Sequence, residues 1–153
     1  VKCDGSHNMP AGEVFTGPIE GSVNGHITYT FPAIHLGHEV QNVRLEFKDG
    51  KVVDAAADKG EEFLHSVLDT DEGARYVGEV AIGTNYNIKH FSKNMLFDEK
   101  IGGTVHVALG RGFPMTGSSN SSAIHWDMLK DMREGGEIFA DGELIYKDGK
   151  FLD

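Results

Sequence analysis

A chain of 153 residues can bury one real hydrophobic core, and 39% hydrophobic with 25% charged residues is an ordinary globular composition. The formal net charge of −10 argues against nucleic acid or an anionic membrane surface as the main partner. One cysteine, Cys3, excludes an intrachain disulfide, and no apolar run approaches the roughly 18 residues that suggest a membrane span, so a cytoplasmic location is expected.

The chain opens VKCDGSHN, with neither an initiator Met nor a charged-then-apolar leader, which reads as a fragment or a processed product. Residues 1–12 are rich in Gly, Ser, Asn and Pro and read as a loop. A short apolar segment, Glu13-Val14-Phe15, follows and places Glu13 beside the core. Residues 22–34 carry a hairpin signal, with Asn24-Gly25 as the turn. Val43, Leu45 and Phe47 alternate with Arg44 and Glu46, the period of a half-buried strand. Lys48-Asp49-Gly50-Lys51 turns the chain back into Val52-Val53. The same KDGK turn recurs at residues 147–150 between residues 143–146 and Phe151-Leu152, and Ala140-Asp141-Gly142 is a third turn of this kind.

One helix is predicted from a cap at Asp58, with Glu61 three residues later completing a capping-box-like pair. Phe63, Leu64, Val67 and Leu68 form its apolar stripe, and it should end near Asp69. A short helical turn is expected over residues 97–101, before Gly102-Gly103. Residues 105–109 suit strand or helix, and residues 123–129 read as strand. The expected fold is α+β: β-rich, mostly antiparallel and barrel-like, with one clear helix and one or two short ones, in a single domain over residues 1–153.

Carboxylates and imidazoles recur in apolar surroundings. In His125-Trp126-Asp127 the first and third side chains share a strand face, while Trp126 points the other way. That spacing suits metal ligation or a plain His–Asp hydrogen bond. Glu79 stands mid-strand in YVGEVAIG, where it needs a metal or a cationic partner such as Arg75 or Arg111. Glu99 in FDEK could equally be a favourable acid in the first turn of a helix. His106 in GGTVHVALG could be a satisfied core histidine. Burying Glu13, Glu79, Glu99 and Asp127 beside two histidines becomes affordable if divalent metal supplies the opposite charge. Otherwise these groups must pair with one another in a purely structural domain. His35-x-x-His38 lacks an acidic partner at a fixed interval except Glu39, and His7, His26, His65 and His90 read as surface or packing residues. Cys3 has no histidine placed to activate it. No serine-hydrolase elbow, P-loop or dinucleotide fingerprint occurs.

Taken in order, NMPAGEVFTGP, DEGARYVGEVAIGTN, LFDEKIGGTVHVALG and IHWDM resemble the thermophilic aminopeptidases of the T and S type, from about Asn8 to the end. The resemblance implies a two-metal exopeptidase acting on peptides with a free N-terminus. Its typical metals would be zinc or cobalt, with manganese or magnesium also compatible, and its implied ligands are Glu13, Glu79, Glu99, His106, His125 and Asp127. Glu79 is the implied bridging ligand or general base, in a site with two ions about 3.5–4 Å apart. The family also implies a homodimer and a further N-terminal domain, against which this chain reads as the C-terminal part only. One residue departs from the pattern. Phe113 stands where the family often has Tyr, so a phenol that could bind the reaction's oxyanion is replaced by a bare ring. Arg111 or Tyr86 could take over that role. A metal-binding or interaction module without peptidase activity is the competing expectation.

Overall fold

Alternating burial sets the sheet faces throughout. In the computed structural model, which describes residues 1–6 and 8–153, Leu45 and Phe47 are buried while Arg44, Glu46 and Lys48 are exposed. The elements in order begin with β1 (Lys2–Cys3), β2 (Glu13–Thr16), β3 (Gly25–Thr28), β4 (Ala33–His35), β5 (His38–Val40), β6 (Arg44–Lys48) and β7 (Lys51–Ala56). Then come α1 (Glu61–Leu68), β8 (Val77–Gly83), α2 (Met95–Asp98), β9 (Thr104–Gly110), β10 (His125–Asp131), β11 (Glu137–Ala140), β12 (Glu143–Lys147) and β13 (Lys150–Phe151). Every paired strand is antiparallel. The main sheet has the order β1-β2-β8-β9-β10; it is open, not a closed barrel. Smaller sheets are β3-β6-β7, β11-β12-β13 and the ribbon β4-β5.

The expected α+β, β-rich architecture is therefore the observed one. All three Asp-Gly turns form, with both residues at positive φ: Asp49 50° and Gly50 84°, Asp141 52° and Gly142 83°, Asp148 48° and Gly149 85°. Such turns match the twist of the strands they join.

Several local expectations fail for physical reasons. Asn24-Gly25 does not turn a local hairpin, because β3 pairs with the distant β6 instead. The Asn24 carboxamide oxygen accepts the Asp49 N–H at 2.9 Å, which ties this corner to the first KDGK turn. Residues 1–12 are not all loop, since Lys2 and Cys3 pair with Val14 and Glu13. Asp58 does not cap α1. Its carboxylate accepts from Arg44 and from Asn42, each at 2.8 Å, and Gly60 in the left-handed region starts the helix. Glu61 reaches back to the Ala57 N–H at 2.9 Å. The short helix forms at residues 95–98, earlier than expected, because the Asn94 side chain caps it through the Leu96 N–H. Residues 104–110 resolve to strand, and α1 buries Leu64, Val67 and Leu68 as its stripe requires.

The principal core lies on one face of the main sheet. Val77, Leu109, Trp126 and Met128 from that sheet pack with Leu45, Phe47 and Val52 from the β3-β6-β7 sheet and with Leu64 and Leu68 from α1. Among the described residues no helix is long and apolar enough to cross a membrane.

Candidate metal centre

The other face of the main sheet carries the acids. In antiparallel register Glu79 lies opposite Ala108, and Ala108 lies opposite Asp127. Paired residues share a face, so Glu79 and Asp127 flank the same small residue. His106 and His125 are two places along their strands from Ala108 and Asp127, and therefore on that face too. Glu13 enters from β2, opposite Gly83. Trp126, next along from Asp127, faces the core as expected.

A β-bulge makes this arrangement possible. Val77 pairs with Leu109 but Glu79 pairs with Ala108, so two steps on β8 answer one on β9. Without the extra residue, Val77 and Glu79 would face the same way. With it, Val77 packs in the core and Glu79 points to the opposite side. The extra residue is Gly78. A Cβ there would lie 2.4 Å from the Gly110 carbonyl oxygen and 2.5 Å from that of Arg111, so only glycine fits.

All of Glu13, Glu79, Glu99, His106, His125 and Asp127 converge. One ligand atom from each of Glu13, Glu79 and His106 lies within 4.8 Å of the others. The same holds for Glu79, His125 and Asp127, and for Glu99, His106 and Asp127. His106 Nε2 donates to Glu79 Oε1 at 3.1 Å and lies 3.4 Å from Glu13 Oε2. His125 Nε2 is 3.5 Å from Asp127 Oδ2, and its Nδ1–H donates to the Arg111 carbonyl at 2.7 Å. Among the described residues Glu79 has an imidazole partner, His106, and no arginine. Arg75 pairs with Asp69 instead, at 2.7 Å. Glu99 sits at the C-terminal end of α2, so the first-turn reading of that acid fails.

Sequence reasoning missed Lys100. Its side chain is fully buried, with Nζ 3.3 Å from Glu13 Oε1 and in close contact with Glu99 Oε1. The signal was present in FDEK, but a lysine beside a glutamate usually reads as a solvated pair.

Charges held in one buried place shift one another. Burial and the Glu99 charge push the Glu13 carboxyl above its ordinary value. Burial raises Glu99 as well, against the Lys100 hydrogen bond. For Lys100, burial favours the neutral amine, but Glu99 and Glu13 outweigh it and the pKa rises. The imidazoles follow the same logic. Burial opposes charge on His125, yet Asp127 and the Arg111 carbonyl carry its pKa up to about 9. His106 also rises, through Glu79 and Asp127. Asp127 falls despite its burial, because His125 and His106 stabilise its anion.

The donor set fits divalent metal on two observations. Among the described residues, Glu13 Oε2 and Asp127 Oδ1 are buried in the cluster without a hydrogen bond, and orphaned buried oxygens suit a cation. The Arg111 carbonyl also fixes the His125 ring with Nε2 toward the carboxylates, the outer-shell support that ligating histidines usually have. Mixed carboxylate and imidazole donors suit zinc, cobalt or manganese.

A cavity of about 300 Å³ opens on the cluster. Glu13, Glu79, Glu99, His125 and Asp127 line it, with Phe15, Phe113 and Met115 as apolar wall. Phe113 stands beside His125, with ring centroids 4.9 Å apart. Tyr86 does not replace the missing phenol there: its hydroxyl donates to the Gly149 carbonyl at 2.8 Å. Of the other histidines, His35 packs on Trp126 and His38 stacks on Phe63. His26 and His90 are exposed and His65 is half-buried, while His7 lies outside the described residues. Cys3 lines the cavity from β1, opposite Glu13.

Residues 2–151 match the family model described as thermophilic metalloprotease (M29). The chain is 37% identical to aminopeptidase 2 of Geobacillus stearothermophilus, over 94% of this chain and 37% of that protein. It is 34% identical to aminopeptidase AmpS of Bacillus subtilis, over 94% of this chain and 40% of that one. The solved structure of wild-type AmpT from Thermus thermophilus superposes with a TM-score of 0.83 at 30% identity, over 95% of this chain and 41% of that one. A 2,5-dihydroxypyridine dioxygenase from Pseudomonas putida superposes with a TM-score of 0.73 at 14% identity, a likeness of fold alone. The chain thus spans roughly two-fifths of the length of these relatives.

Proposed function

The chain belongs to the thermophilic metalloprotease (M29) family, and on that premise we propose that it is the metal-binding catalytic domain of a metallo-aminopeptidase. The reaction is hydrolysis of the N-terminal peptide bond of peptides with a free α-amine. The observation that carries this reading is the convergence of four carboxylates and two imidazoles beside one cavity, with Glu13 Oε2 and Asp127 Oδ1 left without hydrogen-bond partners among the described residues. Glu13, Glu79, Glu99, His106, His125 and Asp127 would hold two divalent ions, zinc or cobalt, when the site is fully loaded. Bound there, the ions supply Lewis-acid polarisation of the scissile carbonyl and a water acidic enough to attack at neutral pH.

The protein's own groups do the rest. Glu79, like His106 and Asp127, belongs to two of the three ligand triplets, and as the carboxylate among them that also lines the cavity and accepts from His106 we assign it the transfer of the water proton to the leaving amine. The Arg111 carbonyl keeps the proton of His125 on Nδ1 and so presents Nε2 to the cluster. Phe15, Phe113 and Met115 give the first side chain of the substrate an apolar wall and exclude water from it.

The test is hydrolysis of leucine amide and of its N-acetylated form, with cobalt or zinc and then with chelator. Metal-dependent cleavage of the free amide alone supports the reading, and equal cleavage of both forms would sink the exopeptidase assignment. Phe113 favours a second reading, a metal-binding or interaction module without activity of its own, because a phenyl ring donates no hydrogen bond to an oxyanion. Metal uptake with no cleavage, restored by Phe113→Tyr, would select it.

A further inference from the structure

The cluster already contains a cation. Lys100 is fully buried, and its ammonium faces Glu13 Oε1 at 3.3 Å and Glu99 Oε1 in close contact. Long charged side chains are almost never wholly buried unless paired. Glu13 and Glu99 are the acids that separate the three ligand triplets. One triplet contains Glu13, another contains Glu99, and the third, Glu79 with His125 and Asp127, contains neither. The lysine thus touches an acid in each of two triplets and none in the remaining one.

We propose that the Lys100 ammonium is a resident cation of this centre, holding the Glu13–Glu99 corner, so that the chain keeps one divalent ion tightly at Glu79, His125 and Asp127 and a second only weakly. A second ion at the Glu13–Glu99 corner would share those carboxylates with the buried ammonium, a like charge at close range. The proposal rests on reading the cluster as a metal site. It changes how the two positions fill, and it makes Lys100 a residue that sets metal number without being a ligand.

Metal number decides it. The whole chain is titrated with cobalt by calorimetry, then dialysed and its retained metal counted. The expected result is one retained ion per chain in the wild type, with a second step at least tenfold weaker. Lys100→Met keeps the length of the side chain and removes its charge, and should retain two ions with the second step tightened at least tenfold. A parallel His125→Ala/Asp127→Ala protein should lose the first, tight step. Two equal tight sites in the wild type, or one ion still retained by Lys100→Met, would overturn the lysine proposal and leave the metal reading standing. No retained metal in any variant would instead remove the metal reading, and the lysine proposal with it. If Lys100→Met does not fold, Lys100→Gln prepared with zinc present replaces it, and the wild-type titration alone still overturns the proposal if its two steps are equal.

Discussion

Glu79 shows how one side chain depends on its neighbours. It is buried, it receives the His106 Nε2–H at 3.1 Å, and it faces the cavity. Glu79→Gln keeps the shape and hydrogen-bond reach but removes the charge and the basicity. Its expected effect is a loss of turnover of about 10²- to 10⁴-fold, the usual worth of a positioned acid–base group. Steady-state kinetics on leucine amide would check it, and an unchanged kcat would remove Glu79 from the proton path. Motif order marked the acids and histidines at this scale, although each taken singly had an ordinary alternative. Lys100 is not marked in this way, because its second carboxylate partner, Glu13, comes from β2, far from it in sequence.

At the scale of elements, the bulge in β8 and the loop before β10 aim the site. Gly78→Ala puts a methyl against two carbonyl oxygens, at 2.4 and 2.5 Å, and the ladder between β8 and β9 must shift. The expected cost is about 1–3 kcal/mol, typical of overpacking, together with weaker metal binding as Glu79 turns away. Chemical denaturation and metal titration of the variant would show both. Asp71 anchors the loop before β10, since its carboxylate accepts from the Ala123 N–H at 2.7 Å and the Ser122 hydroxyl at 2.8 Å. Those two bonds hold its pKa below the ordinary carboxylate value. A depressed folded-state pKa means that this stability is present above the unfolded value, about pH 4, and is lost as pH falls through the folded one. Asp71→Asn should therefore lower Tm relative to the wild type above about pH 5, and the gap should shrink toward pH 2. A gap that stays constant with pH would mean the anion plays no part.

For the whole molecule, the acids on one face of the main sheet are a latent cost that metal can offset. A ligand that binds only the native state at a thousand times its Kd stabilises it by about 4 kcal/mol. For a chain of this size that is a rise in Tm of roughly 10 °C, since each kcal/mol is worth about 2–4 °C. Thermal melts with zinc or cobalt, and again after chelator, would measure it. Identical melts would mean that the acids and histidines serve only one another. The net charge of −10 also means that bound cations lower the repulsion across the molecule.

The sequence by itself determined the antiparallel, β-rich architecture, the three Asp-Gly turns, the stripe of α1 and the ordered motifs that hold the six acids and histidines. Each of these is written in neighbouring residues, through period-2 or helical alternation, positive-φ turn chemistry or a short run of letters. Only the tertiary structure decided the partner of β3, the start of α1, the bulge at Gly78 and the burial of Lys100. Each of those depends on competition between groups distant in the chain. Asn24-Gly25 offers a local turn, but β6 offers the pairing. Asp58 offers a cap, but Arg44 takes its carboxylate. Lys100 follows Glu99 in sequence, but Glu13, arriving from β2, supplies the second carboxylate that keeps its charge inside.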